Sequence, residues 1–125
     1  MKYEWKKEEK LNKDELLYTI MIRQPDFVTE DVMARAFAHV RKKKPHPLLD
    51  EVVFDTMEDG LSVQILHVGP YDDEPRSFKV MEEFMEAEGL ERTTLRHREI
   101  YISDVRRVKP EKLKTVLRCW VKRKG

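Results

Sequence analysis

The segment HREIYISDVRRV, residues 97–108, carries the side chains with the clearest capacity for chemistry. Glu99 stands between Arg98 and Ile100 in a run of strand character, and Tyr101 follows two positions later. A charged residue inside a strand either faces solvent or belongs to a site. A carboxylate beside aromatic rings suits a planar or cationic aromatic ligand. Placed well, it can also take a proton from water while a phenol donates a hydrogen bond to a developing oxyanion. Tyr101 shares the strand face of Glu99 through the period of two. Tyr18 and Trp120 are candidates to join them from other strands, and Trp5 and Tyr71 are the remaining aromatic candidates for ligand contact. The plain alternative is that Glu99 pairs with a neighbouring arginine or histidine and meets no ligand.

The elements that must position these residues follow from periodicity. Residues 16–22, LLYTIMI, read as a strand ended by Gln24-Pro25-Asp26. Thr29 can cap a helix, with Glu30 and Asp31 in its first turn, and Val28 and Met33 could form a hydrophobic staple around it. Val32, Ala36, Phe37 and Val40 form its apolar stripe, and Arg41 to Lys44 followed by Pro45 and Pro47 end it. The basic run at that end reads as dipole compensation rather than as a nucleic-acid contact. Residues 52–57 read as a strand, and Glu58-Asp59-Gly60 as the turn of a hairpin into the strand 61–68, with Gly60 left-handed. Gly69-Pro70-Tyr71 leads to a second helix, with Asp73 as N-cap, Phe78, Met81, Phe84, Met85 and Glu88 along one side, and Gly89 closing it.

Two strands complete the pattern, at 98–102 and 115–121. Phase divides them. His97, Glu99, Tyr101 and Ser103 point one way, and Arg98, Ile100 and Ile102 the other. If the helices cover the isoleucine face, Glu99 and Tyr101 line the opposite, concave face. In the last strand Thr115, Leu117, Cys119 and Val121 oppose Val116, Arg118, Trp120 and Lys122. Residues 1–15 are charge-mixed and read as an irregular arm with Trp5 docked. The expected class is α+β: an antiparallel, curved sheet with two helices on one face.

Composition narrows the function. At 125 residues and 40% hydrophobic, the chain makes one small domain: an arm at 1–15, a strand-helix-strand at 16–57, and a strand-helix-strand-strand module at 61–121. A formal net charge of +1 gives no field for nucleic acid. The single cysteine excludes an internal disulfide framework and fits a reducing, cytoplasmic compartment, and no apolar run reaches membrane-spanning length. Glycine is too scarce for a phosphate-cradling loop, and His39, His46, His67 and His97 show no metal-ligand spacing with Cys119, so no cofactor or metal is expected. Residues 72–91 are acidic and the segment from Arg106 to Lys124 is basic, which reads as two solvated faces.

Three segments, MIRQPDFVTED at 21–31, VQILHVGPYDDEP at 63–75 and HREIYISDVRRVKPEKLKTVLR at 97–118, together resemble the C-terminal part of the GyrI-like small-molecule-binding family. That family includes the effector-binding domains of AraC-type regulators. The resemblance implies a fold of two strand-helix-strand-strand (SHS2) modules around a ligand cleft. Some standalone members hydrolyse cyclopropane-containing alkylating natural products with a pocket glutamate and aromatic residues. Glu99 matches that glutamate, and Tyr101 lies in the same strand motif. Only a short arm precedes the strand at 16–22, where family members carry a further module that supplies the facing wall of the cleft. A second subunit could replace that wall, so a homodimer is expected. The functions in competition are a small-molecule binder, a hydrolase of strained electrophiles, and a structural or regulatory module that grips another polypeptide.

Overall fold

The structure is a computed structural model, and it describes residues 2–4 and 17–125. Two units divide these residues, one of Asp59–Gly125 with the N-terminal strands, the other Ile22–Glu58.

In the smaller unit the sequence signals of a helix act together. Helix α1 (Glu30–Lys43) begins where the Thr29 hydroxyl accepts a hydrogen bond from the Val32 N–H at 3.3 Å. Glu30 and Asp31 occupy its first turn, and Arg41, Lys42 and Lys43 its last. Arg41 also reaches Asp50, at 3.2 Å. The strand expected at 52–57 does not form: residues 52–60 carry no regular structure. Asp55 bonds the adjacent Thr56 N–H, and Asp59 is drawn to two arginines of the sheet, so no hairpin arm is laid down. Gly60 keeps its expected left-handed conformation, with φ +68°.

The larger unit is one antiparallel sheet with a helix. The strands are β1 (Lys2–Glu4), β2 (Leu17–Thr19), β3 (Ser62–Val68), β4 (Leu90–Tyr101) and β5 (Lys114–Arg123), in the order β2-β1-β4-β5-β3. Strand β1 falls within the arm expected to be irregular. Its sequence, KYE, sits in the alternating run MKYEWK, which is a strand period that high charge concealed.

Helix α2 (Glu74–Glu88) buries Glu74, Ser77, Phe78, Met81 and Met85, a stripe at helical spacing. Phe84, expected in that stripe, is half exposed because it falls off the stripe's line. Asp73 holds the N-cap position without a side-chain cap bond, and Gly89, at φ +67°, ends the helix. The core joins Phe78, Met81 and Met85 to Val63, Leu117, Cys119 and Val121, with Ile65 and Leu90 packed against it. Each fully buried side chain of this kind contributes roughly 1.5–3 kcal/mol.

Register decides which face of β4 meets α2. Arg92 pairs with Val121, but His97 pairs with Cys119, so four residues of β4 oppose the single Trp120. The Arg92 guanidinium braces this bulge by donating to the carbonyls of Thr94, Leu95 and Arg96. An odd number of extra residues reverses the alternation. Before the bulge Leu90 faces the core; beyond it His97 and Glu99 do. Helix α2 therefore covers the glutamate face rather than the isoleucine face.

Candidate functional site

Three cross-strand rows lie under α2: His97–Cys119–Val63, Glu99–Leu117–Ile65 and Tyr101–Thr115–His67. Four of their polar members are buried, Glu99 to 2% exposure, Thr115 to 1%, and His67 and His97 to 0%.

The His67 imidazole is fully engaged. Its Nε2 lies 2.8 Å from the Pro70 carbonyl, which can only accept, so Nε2–H donates. Nδ1 then accepts from the Ser77 hydroxyl at 2.7 Å. One side chain thus ties β3 and the turn after it to α2. That turn is held further by the Gly69 N–H, which donates to Leu113 at 2.8 Å, and Gly69 takes φ +133°, which side chains avoid. Tyr71 and Glu74 project from the segment so fixed.

Glu74 heads the buried stripe of α2 and its carboxyl is hydrogen-bonded to that of Glu99. Burial, and after it the hydrogen bond and charge of Glu74, push Glu99 up to about 10. Burial also drives His97 down to about 3, with the charge of Arg92 adding to it. His97 Nε2 and Glu99 Oε2 are 3.3 Å apart, close enough for an ion pair, yet both groups are neutral at pH 7. Their contact is a hydrogen bond between uncharged partners. Among the described residues, Glu99 Oε1 has no hydrogen-bond partner.

Aromatic rings surround these carboxyls. Phe78 meets His97 edge to face, with ring centres 4.7 Å apart. Tyr71 and Tyr101 meet in the same manner at 5.7 Å. Tyr101 is 39% exposed and Tyr71 half buried, so the ring pair reaches the surface. Burial, then the charges of Glu74, Glu99 and Asp104, raise the Tyr71 phenol, which keeps it a hydrogen-bond donor.

The expected site residues divide. Glu99, Tyr101 and Tyr71 come together. Tyr18 lies in the same cross-strand row as His97, two strands away and more than half exposed. Trp120 lies across the sheet from Glu99, because residues of β5 alternate and Leu117 and Cys119 hold the Glu99 face. There Trp120 stacks under Arg98, whose guanidinium carbon is 5.4 Å from the ring centre. Asp59 accepts from Arg98 at 2.6 Å and from Arg118 at 2.7 Å on that side. Trp5 lies outside the described residues. Glu74, His67 and Thr115 were not expected. For Glu74 a signal existed: it leads the spacing 74-78-81-85, where a carboxylate among apolar residues marks a buried charge.

A model of the GyrI-like small molecule binding domain family matches residues 2–121. The chain belongs to this family. An uncharacterized conserved protein from Listeria innocua is similar in structure, with a TM-score of 0.77 and 39% identity over 97% of this chain and 62% of that one. A hydrolase from Listeria innocua is similar too, with a TM-score of 0.71 and 45% identity over 80% of this chain and 52% of the other. The chain thus spans between half and two thirds of the length of these solved structures. No curated protein matches it. Among the described residues of this GyrI-like chain, no helix is long and apolar enough to cross a membrane, and no cluster of three His, Cys, Asp or Glu side chains could hold a metal ion.

Proposed function

We propose that the chain binds a small hydrophobic or cationic aromatic molecule against the Tyr71–Tyr101 ring pair, with its polar group directed at Glu74 and Glu99. One observation carries this: a hydrogen-bonded pair of carboxyls buried beneath two tyrosines, with one carboxyl oxygen unpartnered among the described residues. Such a pair is costly to fold around unless a ligand or substrate uses it. Because Glu99 keeps its proton, it acts as a hydrogen-bond donor rather than as the anion or base that its sequence position suggested. The charge of Glu74, which helps hold that proton, is the attraction for a cation. Membership of a small-molecule-binding family supports the assignment.

A second copy of the chain completes the site. Among the described residues Leu17, Tyr18 and Ile20 are exposed at and beside β2, the terminal strand of the sheet order, where pairing with a second copy would extend the sheet. Sedimentation at tens of micromolar is expected to show particles twice the 15.0 kDa chain mass; monomers alone would remove this part.

Binding is tested by calorimetry with neutral and cationic aromatic amines, followed by amide shift mapping. Shifts are expected at Tyr71, Glu74, Glu99 and Tyr101 and not at Trp120. Binding that maps to the Trp120 face would refute the placement.

A hydrolase reading is favoured by the carboxyl pair itself and by the hydrolase among the similar structures. Its substrate would be a cyclopropane fused to a conjugated carbonyl system. Water forms a bond to a ring carbon as the strained carbon–carbon bond breaks, and that electron pair moves onto the carbonyl oxygen. Glu99 gives its proton to that oxygen, and Glu74 takes one from the water. Proton transfer from Glu74 back to Glu99 restores the pair. Glu99→Gln is expected to slow such turnover roughly 10²–10⁴-fold. Wild-type turnover equal to buffer, by mass spectrometry, would end this second reading.

A further inference from the structure

Thr115 is buried to 1% exposure, and among the described residues its hydroxyl has no hydrogen-bond partner. It shares this with Oε1 of Glu99. The two are close in the fold. Glu99 pairs with Leu117 across β4 and β5, which makes Thr115, two residues before Leu117, its diagonal neighbour on the α2 face. Diagonal neighbours sit roughly 7–8 Å apart at the backbone and less at their side chains, too far for a threonine to touch the carboxyl stem but near enough to share one small group.

No ring nitrogen next to Thr115 can serve it. His67 occupies the adjoining position in the same row, and both of its nitrogens are committed, to Ser77 and to Pro70. Leu117 on the next row is apolar. Buried hydroxyls and carboxyls are almost always satisfied, and two unsatisfied ones on one face call for a common partner.

We infer that Glu99 and Thr115 form a two-point seat for one uncharged oxygen atom. In the free protein a water molecule occupies it. On binding, the ligand's own hydroxyl or carbonyl oxygen takes its place, which makes Thr115 a specificity-determining residue for oxygen-bearing aromatics. This second step rests on the binding role proposed for the Tyr71–Tyr101 face; the first does not. An oxygen serves where a cation would not, since a neutral hydroxyl and a protonated carboxyl offer donors and acceptors but no charge.

Two measurements test the seat, with the full chain in each. A high-resolution crystal structure of the free protein is expected to show one oxygen within about 3.2 Å of both Glu99 Oε1 and Thr115 Oγ1. Direct contact between the two side chains, or other protein partners for both, would overturn the seat. Calorimetry then compares naphthol with naphthalene. Wild type is expected to prefer naphthol, and Thr115→Val to lose roughly three- to tenfold of that preference, the loss expected for one hydrogen bond. Thr56→Val, in the other unit and exposed, controls for the substitution type. An unchanged melting temperature for Thr115→Val shows that it folds; if it does not, Thr115→Ser restores the hydroxyl and must restore the preference. Equal preference in wild type and Thr115→Val would sink the seat while leaving ligand binding intact. An oxygen in the crystal with neither probe bound would keep the seat and instead refute the binding role.

Discussion

The two faces of the sheet treat charge in opposite ways. Beneath α2, Glu99 and His97 are buried and lose their charges, the carboxyl holding its proton and the imidazole refusing one. On the other face Asp59 stays ionised. Burial alone would raise it, but hydrogen bonds from Arg118 and Trp120 and the charges of Arg98 and Arg118 outweigh burial and hold it below the usual range. The difference lies in what is at hand. Two guanidiniums compensate Asp59, while Glu99 has a second carboxyl as its neighbour. A carboxylate in a sheet is thus a structural anchor where guanidiniums pair with it, and a store of reactivity where burial and a second carboxyl hold its proton on.

The contrast is broken most severely by pH. Glu99 keeps its proton when folded up to about 10 but loses it near 4.5 when unfolded. The folded state binds the extra proton in that window, so stability falls as pH rises through it. His97 is neutral when folded above about 3, yet protonated when unfolded below 6.5. Stability therefore also falls as pH drops from 6.5 towards 3. Each limb has a limiting slope of roughly 1.4 kcal/mol per pH unit, and between about 4.5 and 6.5 the two cancel. Denaturant melts from pH 3 to 9 are expected to show a plateau in that interval. Glu99→Gln flattens the alkaline limb, and His97→Gln the acidic one. A maximum above pH 8 in wild type would contradict the Glu99 assignment, and stability that does not fall between pH 6.5 and 3 would contradict that of His97.

Asp59→Ala comes next in size. It leaves two half-buried guanidiniums without their shared carboxylate, for a loss of about 1.5–3 kcal/mol, discounted for their partial exposure. The sign with pH is opposite to that of Glu99: a depressed carboxylate stabilises above its unfolded value, and that stability disappears as pH falls through the folded one. Urea midpoints of Asp59→Ala and wild type should therefore converge in acid. Midpoints that remain parallel would show that packing, not charge, holds the Asp59 segment.

His67→Leu probes the glutamate face without touching its carboxyls. It strands the Ser77 hydroxyl and frees the turn before Tyr71, costing about 1–2 kcal/mol by thermal melts. The same variant is expected to weaken aromatic binding, since Tyr71 and Glu74 depend on that turn. Unchanged affinity would mean that Tyr71 is held by other contacts. The smallest effect is at the surface: Lys124→Ala removes an exposed pair with Glu86, and no resolvable change in melting is expected.

Helices were the legible part of this chain. Thr29, Gly89 and the apolar stripe of α2 act locally, so their residues announce the elements they start, end or bury. The α+β class and the strands β3 and β5 follow from the same kind of pattern. What escaped depends on partners distant in sequence. Strand β1 exists because β2 and β4 flank it, and the segment 52–60 forgoes a hairpin because Asp59 finds Arg98 and Arg118. The largest difference between sequence pattern and structure is one of phase. Nothing in TTLR, which lacks glycine and proline, signals a bulge, yet the bulge turns Glu99 from the open face to the face beneath α2. Glu99 and Tyr101 could be singled out from the sequence; that Glu74 would be the neighbour of Glu99, and Trp120 would not, could not.

The protonation state of Glu99 decides between a neutral site and an anionic one most directly. Carbon-13 labelling of glutamate carboxyls, with Glu99→Gln to assign the resonance, allows its titration to be followed on its own. The Glu99 carboxyl is expected to remain protonated at pH 7 and to titrate near 10. A resonance that titrates in the ordinary glutamate range, around 4.3, would contradict the neutral carboxyl on which the binding site, its oxygen seat and the alkaline limb of stability all rest.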